Sequence, residues 1–184
     1  MRTRIGVMGS AAPDSARLES GNTLVAKAER LGQVIAANDV VLLTGATTGI
    51  VYVVGKTAHD AGCFHIGISP GSNKLEHVEL YKLPVDACDS LIYTGFGLKG
   101  RNVVLVRSCD IVLFVAGAMG SLNEFTIAHD EGKIIGCLRG TGGVADESEY
   151  LLQRFGKRAT AAQVFVNEDP EKLIDDCLGA DSRR

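Results

Sequence analysis

The sequence predicts an α/β domain: a doubly wound, mostly parallel sheet of about seven strands with helices on both faces. Short apolar runs alternate with segments of helical periodicity along all 184 residues, which is typical of this class. The chain holds 22 Gly, no Trp and 5% aromatic residues, and glycine is needed in strand-to-helix turns that approach a ligand. Because domains usually run to roughly 100–200 residues, we expect one domain over residues 1–184.

Composition and charge exclude several classes of protein. An apolar fraction of 46% excludes a disordered chain, and a net charge of −3 indicates neither a nucleic-acid nor an anionic-membrane partner. No apolar run is long enough for a membrane span, and the first residues do not resemble a secretory signal. The five cysteines form no CxxC pair, so we expect reduced thiols in a cytoplasmic protein.

The first half of the chain predicts three strands, each a short apolar run followed by turn residues: Arg4–Met8, Val40–Leu43 and His65–Ser69. Between the first two lies a predicted helix, Asn22–Ala37, whose apolar residues recur at helical spacing: Leu24, Ala28, Leu31 and Ile35. A second helix is predicted over about Ile50–Ala61, and Gly62 is a natural stop for it. The segment 72–88 is predicted to be irregular.

The second half predicts four more strands: Leu91–Thr94, Ile111–Val115, Lys133–Leu138 and Gln163–Asn167. Helices are predicted between and after them: about Arg101–Ser108, Ser121–Asp130, Asp146–Phe155 and a last one from Pro170. Proline at the first position of a helix is favourable, because the amide it lacks would have no partner there.

Four predicted strand ends run into glycines, namely Gly9, Gly45/Gly49, Gly95/Gly97 and Gly117/Gly120. In a parallel sheet all of these loops share the carboxyl edge. Glycine lets the backbone approach a ligand, and the helix N-termini that follow favour phosphate. We therefore expect a phosphate or nucleotide site built from these loops: Gly9, Ser10, Gly45, Thr47, Thr48, Gly49, Gly117, Ala118, Met119 and Gly120. The four histidines share no metal-ligand spacing, and no metal site or required cofactor is expected.

Arg101 and Glu124 are the charged residues that the predicted topology brings to the same edge. Arg101 opens the helix after the fourth strand, and Glu124 lies in the first turn of the helix after the fifth. A cation and a carboxylate beside two glycine loops form a plausible active site. Two alternatives remain open, because Ser121 and Glu124 also fit a capping box and Arg101 could be a surface charge.

Three segments resemble a known family. Ala116-Gly117-Ala118-Met119-Gly120-Ser121-Leu122-Asn123-Glu124 is similar to the PGGxGTxxE signature of the LOG family, and Thr44-Gly45-Ala46-Thr47-Thr48-Gly49 resembles its earlier glycine-rich loop. Arg101 stands where that family has its catalytic arginine. The resemblance implies a Rossmann-like nucleotide-binding fold, usually dimeric, and phosphoribohydrolysis of nucleoside 5′-monophosphates. It further implies Arg101 and Glu124 as the catalytic pair, with phosphate held by Gly117, Ala118, Met119, Gly120 and Ser121.

The chain also departs from that signature. Ala116 and Ala118 replace its proline and middle glycine, and Asn102 replaces the basic residue usual after the arginine. These departures resemble a sister group that includes molybdenum cofactor carriers, which bind a phosphorylated pterin without turnover and are often tetrameric, and DprA/Smf-related proteins. The expected ligand is thus an AMP-like nucleotide, phosphate or molybdenum cofactor, in a homodimer or homotetramer. Three functions remain open: hydrolase of the N-glycosidic bond, non-catalytic carrier or nucleotide sensor, and a domain that acts through a partner surface.

Overall fold

The computed structural model describes residues 1–11 and 23–182, and it contains a single seven-stranded parallel sheet in that part of the chain. The strands are β1 (Thr3–Gly9), β2 (Val40–Thr44), β3 (Phe64–Ser69), β4 (Ser90–Tyr93), β5 (Ile111–Val115), β6 (Ile134–Leu138) and β7 (Gln163–Asn167). The helices are α1 (Thr23–Ala36), α2 (Gly49–Asp60), α3 (Gly97–Arg107), α4 (Met119–Asp130), α5 (Gly143–Phe155) and α6 (Pro170–Asp181). The predicted fold class is confirmed. Asn22, the first residue of the first predicted helix, lies outside the described residues.

The strand order is β4-β3-β2-β1-β5-β6-β7. The chain moves outward from β1 to β4, then returns to pair β5 with the other side of β1, Val7 lying opposite both Thr44 and Leu113. The loops after β1 and β5 therefore leave in opposite directions. In open α/β sheets this reversal creates the crevice in which ligands bind, outside the carboxyl ends of the strands.

The two faces of the sheet bury two separate hydrophobic clusters. Helices α1, α2 and α6 cover the face that carries Ile5 and Leu113, while α3, α4 and α5 cover the face that carries Met8 and Phe114. All five residues of β5 are buried, because a central parallel strand is covered on both sides. No helix in the described part of the chain combines the length and the hydropathy that a membrane span requires.

Three helices begin earlier than their sequences predict. Helix α3 begins at Gly97 and not at Arg101, α4 at Met119 and not at Ser121, and α5 at Gly143 and not at Asp146. The segment predicted to be irregular contains a short π-helical turn, Glu76–Leu80. Arg101 and Glu124 consequently lie in the second turns of their helices, one turn deeper in the fold than predicted.

Candidate functional site

A cavity of about 280 Å³ lies at the carboxyl edge of the sheet, between the loops that follow β1, β2 and β5. Its size falls near the lower end of the usual ligand pockets, which span about 300–1,000 Å³. Polar and charged groups from four separate chain segments reach it: Ser10, Thr47, Lys99, Arg101, Asn102, Ser121 and Glu124. No aromatic ring of the described residues lines it, so a flat ligand would be held there by backbone, charge and aliphatic contacts.

Arg101 is the buried cation of the cavity, with only 6% of its surface exposed. Its Nη1 donates to the Ile68 carbonyl at 3.2 Å, and its Nε has no hydrogen-bond partner among the described residues. The guanidinium lies against the backbone of Gly45, where an added Cβ would overlap it. Gly45 is thus required because Arg101 occupies the space that a side chain would fill.

Glu124 is the buried acid of the cavity. Burial raises the pKa of its carboxyl to about 7, although Arg101 and Lys99 act in the opposite direction. The same desolvation lowers the pKa of Arg101, and the two side chains interact through charge without a direct hydrogen bond. When its nitrogen faces the acid, the Asn102 amide donates to Glu124 Oε1 at 3.1 Å and to the Leu98 carbonyl at 3.0 Å.

The loop after β5 presents the start of α4 to the cavity. Ala116 and Gly117 adopt positive φ angles of 55° and 109°, a conformation that glycine adopts without strain and that costs alanine energy. The first amides of α5 fasten them, because Val144 N donates to Gly117 O and Ala145 N to Ala116 O, both at 3.0 Å. The N-cap of α4 is Ala118, which has no side-chain acceptor, so this helix start remains available to an anion.

This geometry rules out the capping-box alternative for Ser121 and Glu124. Ser121 is the third residue of α4 and cannot be its N-cap, and Glu124 faces the cavity from the second turn. The alternative that Arg101 is a surface charge is likewise wrong, since the side chain is buried.

The predicted loop residues divide into those that line the cavity and those that support it. The cavity is lined by Gly9, Ser10, Gly45, Thr47, Ala118, Gly120 and Ser121, together with Arg101 and Glu124. Thr48 and Gly49 do not line it. Thr48 Oγ1 donates to Ala11 O at 2.6 Å, and Gly49 lies so close to Ser10 O that a side chain there would clash. Gly117 packs beneath Ser121, and Met119 is 75% exposed outside the cavity.

Lys99 and Asn102 are cavity residues that the sequence reasoning did not include in the site. The earlier start of α3 explains the omission, because it places Lys99 in the first turn of the helix and Arg101 and Asn102 at the beginning of the second. The sequence does carry a signal for Lys99, because this cation stands two residues before Arg101. Within the described residues, no cluster of three or more His, Cys, Asp or Glu could hold a metal ion.

The fold and the cavity define a class: a doubly wound α/β domain with a polar crevice at the point where the strand order reverses. Residues 2–174 match the family model described as the SLOG cluster4 family, and the chain belongs to this family. An uncharacterized protein of Archaeoglobus fulgidus is 32% identical over 112 residues, which are 61% of this chain and 68% of that protein. The family resemblance stated from the sequence is confirmed.

Solved structures agree with this assignment. The crystal structure of TM1055 has a TM-score of 0.81 at 23% identity and covers 96% of this chain and 99% of its own. The molybdenum cofactor binding protein of Rippkaea orientalis is 28% identical, with a TM-score of 0.73 and 98% coverage of each chain. The molybdenum cofactor carrier protein of Chlamydomonas reinhardtii is 26% identical, with a TM-score of 0.75 and coverage of 98% and 99%.

Proposed function

We propose that the chain binds a phosphorylated cofactor in this cavity and carries it without chemical change, and that the cofactor is the molybdenum cofactor, a phosphorylated pterin. One observation carries the proposal: the uncapped start of α4, the exposed Lys99 and the buried Arg101 all line the same cavity. The names of the Rippkaea and Chlamydomonas proteins, one a molybdenum cofactor binding protein and the other a carrier, support this choice of ligand.

The phosphate belongs at the start of α4. The backbone amides of the first helical turn have no carbonyl acceptor within the helix, and the dipole of the helix favours an anion there. Gly120 leaves this position open: among the described residues outside its own stretch of helix, only Lys99 Nζ lies within 4 Å of an added Cβ, at 3.9 Å. The ammonium of Lys99 is therefore placed to pair with a phosphate bound to these amides.

The remainder of the ligand extends toward Arg101 and Glu124. Arg101 lines the cavity, and its guanidinium is a donor without acceptor capacity. Burial keeps a large share of Glu124 protonated at neutral pH, so its carboxyl can donate as well as accept. Ser10 and Thr47, from the loops after β1 and β2, add two more polar residues to the lining. A heterocycle with carbonyl and amino groups at its edges suits such a set of donors and acceptors.

Two substitutions at Gly120 test the proposal with matched shape and different charge, since one adds a negative charge and the other adds none. Gly120 has a normal helical backbone and open space around it, so both Gly120→Asp and Gly120→Asn should fold. The aspartate places a negative charge where the phosphate belongs, whereas the asparagine adds the same volume without charge. In a calorimetric titration with molybdenum cofactor, Gly120→Asp should weaken binding at least tenfold more than Gly120→Asn, because charge-assisted hydrogen bonds contribute about 1.5–3 kcal/mol. Equal affinity of the two variants, or no binding by the wild type, would contradict the proposal.

The second candidate function is phosphoribohydrolysis of a nucleoside 5′-monophosphate, and the specific observation in its favour is the carboxyl of Glu124 inside the cavity. Cleaving AMP with one water yields adenine and ribose 5-phosphate. The N-glycosidic bond breaks with positive charge developing on the ribose, which a nearby carboxylate stabilises. Because the pKa of Glu124 is about 7, this activity should rise as the pH increases through 7.

Incubation with AMP distinguishes the two functions. Release of adenine and ribose 5-phosphate by the wild type, and not by Glu124→Gln, would support the hydrolase. Binding of molybdenum cofactor with no more adenine released than by Glu124→Gln would support the carrier. The glutamine variant is the appropriate control because it preserves the size of the side chain and removes only its ionisation.

A further inference from the structure

The neighbouring strands β2 and β3 end in the same hydrogen-bond arrangement. Thr44 ends β2 and Ser69 ends β3. In each case the hydroxyl oxygen accepts the backbone N–H two residues further on: Ala46 N donates to Thr44 Oγ1 at 3.1 Å, and Gly71 N donates to Ser69 Oγ at 3.1 Å. The hydroxyl groups thus fix the first turn of the loop after each strand, including Ala46, which adopts a φ of 48°.

Each hydroxyl is also bonded to a buried histidine. Thr44 Oγ1 lies 2.9 Å from His65 Nε2, and Ser69 Oγ lies 2.8 Å from His77 Nδ1. The second ring nitrogen of each histidine reaches a backbone carbonyl in the segment before β4, because His65 Nδ1 contacts Ala87 O and His77 Nε2 lies 2.9 Å from Pro84 O. Both side chains are almost fully buried, at 1% and 0% exposed.

These partners determine which ring nitrogen carries the proton. A carbonyl only accepts, so His65 Nδ1 and His77 Nε2 must be the protonated nitrogens. Their other nitrogens can then accept from the hydroxyl groups, since accepting a backbone N–H uses only an oxygen lone pair and leaves the hydroxyl hydrogen to donate. In their neutral forms the two rings therefore hold opposite tautomers, Nδ1–H for His65 and Nε2–H for His77. Burial, which lowers the pKa of His65 to about 4, agrees with a neutral ring.

Both arrangements meet at Arg101. Gly45, which follows Thr44, supplies the bare backbone against which the guanidinium lies. Ile68, which precedes Ser69, supplies the carbonyl that accepts from Arg101 Nη1 at 3.2 Å. The two surfaces that hold the guanidinium are thus each one residue away from a hydroxyl fixed by a histidine.

We infer that His65 and His77 are positioning residues, which hold the ends of β2 and β3 against segment 84–87 and so seat the Arg101 guanidinium in the cavity. Neither ring touches the cavity itself. Only the ligand-affinity part of the inference rests on the proposed function; the tautomers and the seat of Arg101 do not.

The first test is nuclear magnetic resonance of the full chain with ¹⁵N-labelled histidine at neutral pH. Long-range proton–nitrogen correlations should give the Nδ1–H tautomer for His65 and the Nε2–H tautomer for His77. Identical tautomers at the two positions, or a charged ring at His65, would overturn the inference. This spectroscopic readout separates a specific hydrogen-bond role from mere filling of space, which either tautomer would satisfy.

The second test uses variants that keep or remove the acceptor for the hydroxyl group. Glutamine at position 65 places its oxygen near the Nε2 position, and asparagine at position 77 places its oxygen near the Nδ1 position. His65→Gln and His77→Asn should therefore preserve the position of the Arg101 guanidinium. His65→Leu and His77→Leu should lose it. His129→Leu is the control, because that histidine lies in the last turn of α4 and outside the cavity.

The readouts are the exchange of the Arg101 Nε proton with solvent and the affinity for molybdenum cofactor. The leucine variants should accelerate the exchange and weaken binding about tenfold, the loss expected for one buried hydrogen bond, while the glutamine, asparagine and control variants stay near wild type. An exchange rate equal to that of the wild type in the folded leucine variants would overturn the inference. If the leucine variants do not fold, faster exchange of the Arg101 Nε proton in His65→Gln and His77→Asn would overturn it. If the wild type does not bind the cofactor, the proposed function is wrong. The inference about His65 and His77 is still tested in that case, by the histidine tautomers and by the exchange rates of the Arg101 Nε proton.

Discussion

Glu124 provides the sharpest test of the electrostatics of the cavity, because its ionisation should be visible in the stability of the whole fold. Glu124 is 8% exposed, and burial raises the pKa of its carboxyl from an ordinary 4.5 to about 7. The perturbation is Glu124→Gln, which keeps the shape of the side chain and removes the charge that forms above neutral pH.

The magnitude follows from the two pKa values. One pKa unit corresponds to about 1.4 kcal/mol, so raising the pKa from 4.5 to about 7 amounts to roughly 3 kcal/mol. Between these values the folded protein binds a proton that the unfolded chain has released. The free energy of unfolding contributed by this group is therefore fully present below pH 4.5 and is lost as the pH rises through 7.

The assay is urea-induced unfolding of the wild type and of Glu124→Gln between pH 5 and pH 8. The glutamine variant should gain stability relative to the wild type as the pH rises, by up to about 3 kcal/mol at pH 8. The control is Glu147→Gln on the exposed surface of α5, which should show no such divergence. Parallel stability curves for Glu124→Gln and the wild type would refute a carboxyl buried in the cavity.

Three further predictions concern packing. Gly45→Ala should displace Arg101, destabilise the protein by about 1–3 kcal/mol in urea unfolding and weaken ligand binding; unchanged stability and affinity would contradict the close contact. Leu113→Ala, at a fully buried position of β5, should cost about 2–5 kcal/mol, and a smaller loss would show a loosely packed sheet centre. The native thiols should resist alkylation at pH 8, because burial raises their pKa, to about 12 for four of them: Cys88, Cys109, Cys137 and Cys177. Rapid labelling of any of these four in the folded protein would contradict that burial.

The strands could be predicted from the sequence because a parallel strand covered on both faces is a continuous apolar run. Ile111–Val115 is such a run, and the structure has β5 over the same residues. The order of the strands could not be predicted in this way. It depends on which strands pair across long distances in the chain, and the local pattern of β5 does not specify that it returns to pair with β1.

Helix starts could be predicted where the sequence carries a cap and were missed where it does not. Asp169 caps α6 by accepting from Glu171 N, and the predicted start at Pro170 is correct. Helices α3, α4 and α5 follow Phe96, Ala118 and Gly142, none of which makes a side-chain cap hydrogen bond. The missing cap of α4 leaves the start of that helix open to an anion. The missing cap of α3 is the reason that Lys99 and Asn102 could not be assigned to the site from the sequence.

The roles of His65 and His77 also lay beyond the sequence. Their partners are hydroxyl groups and carbonyls 7 to 22 residues away in the chain, and no spacing rule joins such pairs. A lone histidine in an apolar segment carries no local signal of the tautomer it will adopt. Only the packing of β2, β3 and segment 84–87 defines those bonds.

The central claim is that the carboxyl edge of the sheet holds the phosphate of a cofactor at the start of α4. The most direct measurement is a titration of the ¹⁵N-labelled chain with molybdenum cofactor, following the backbone amide of every residue. The amides of Gly120 and Ser121 should move most, in a saturable manner, together with the Nε proton of Arg101. Saturable shifts confined to another surface, such as the groove between Phe125 and Phe155, would contradict the claim, as would the absence of any shift.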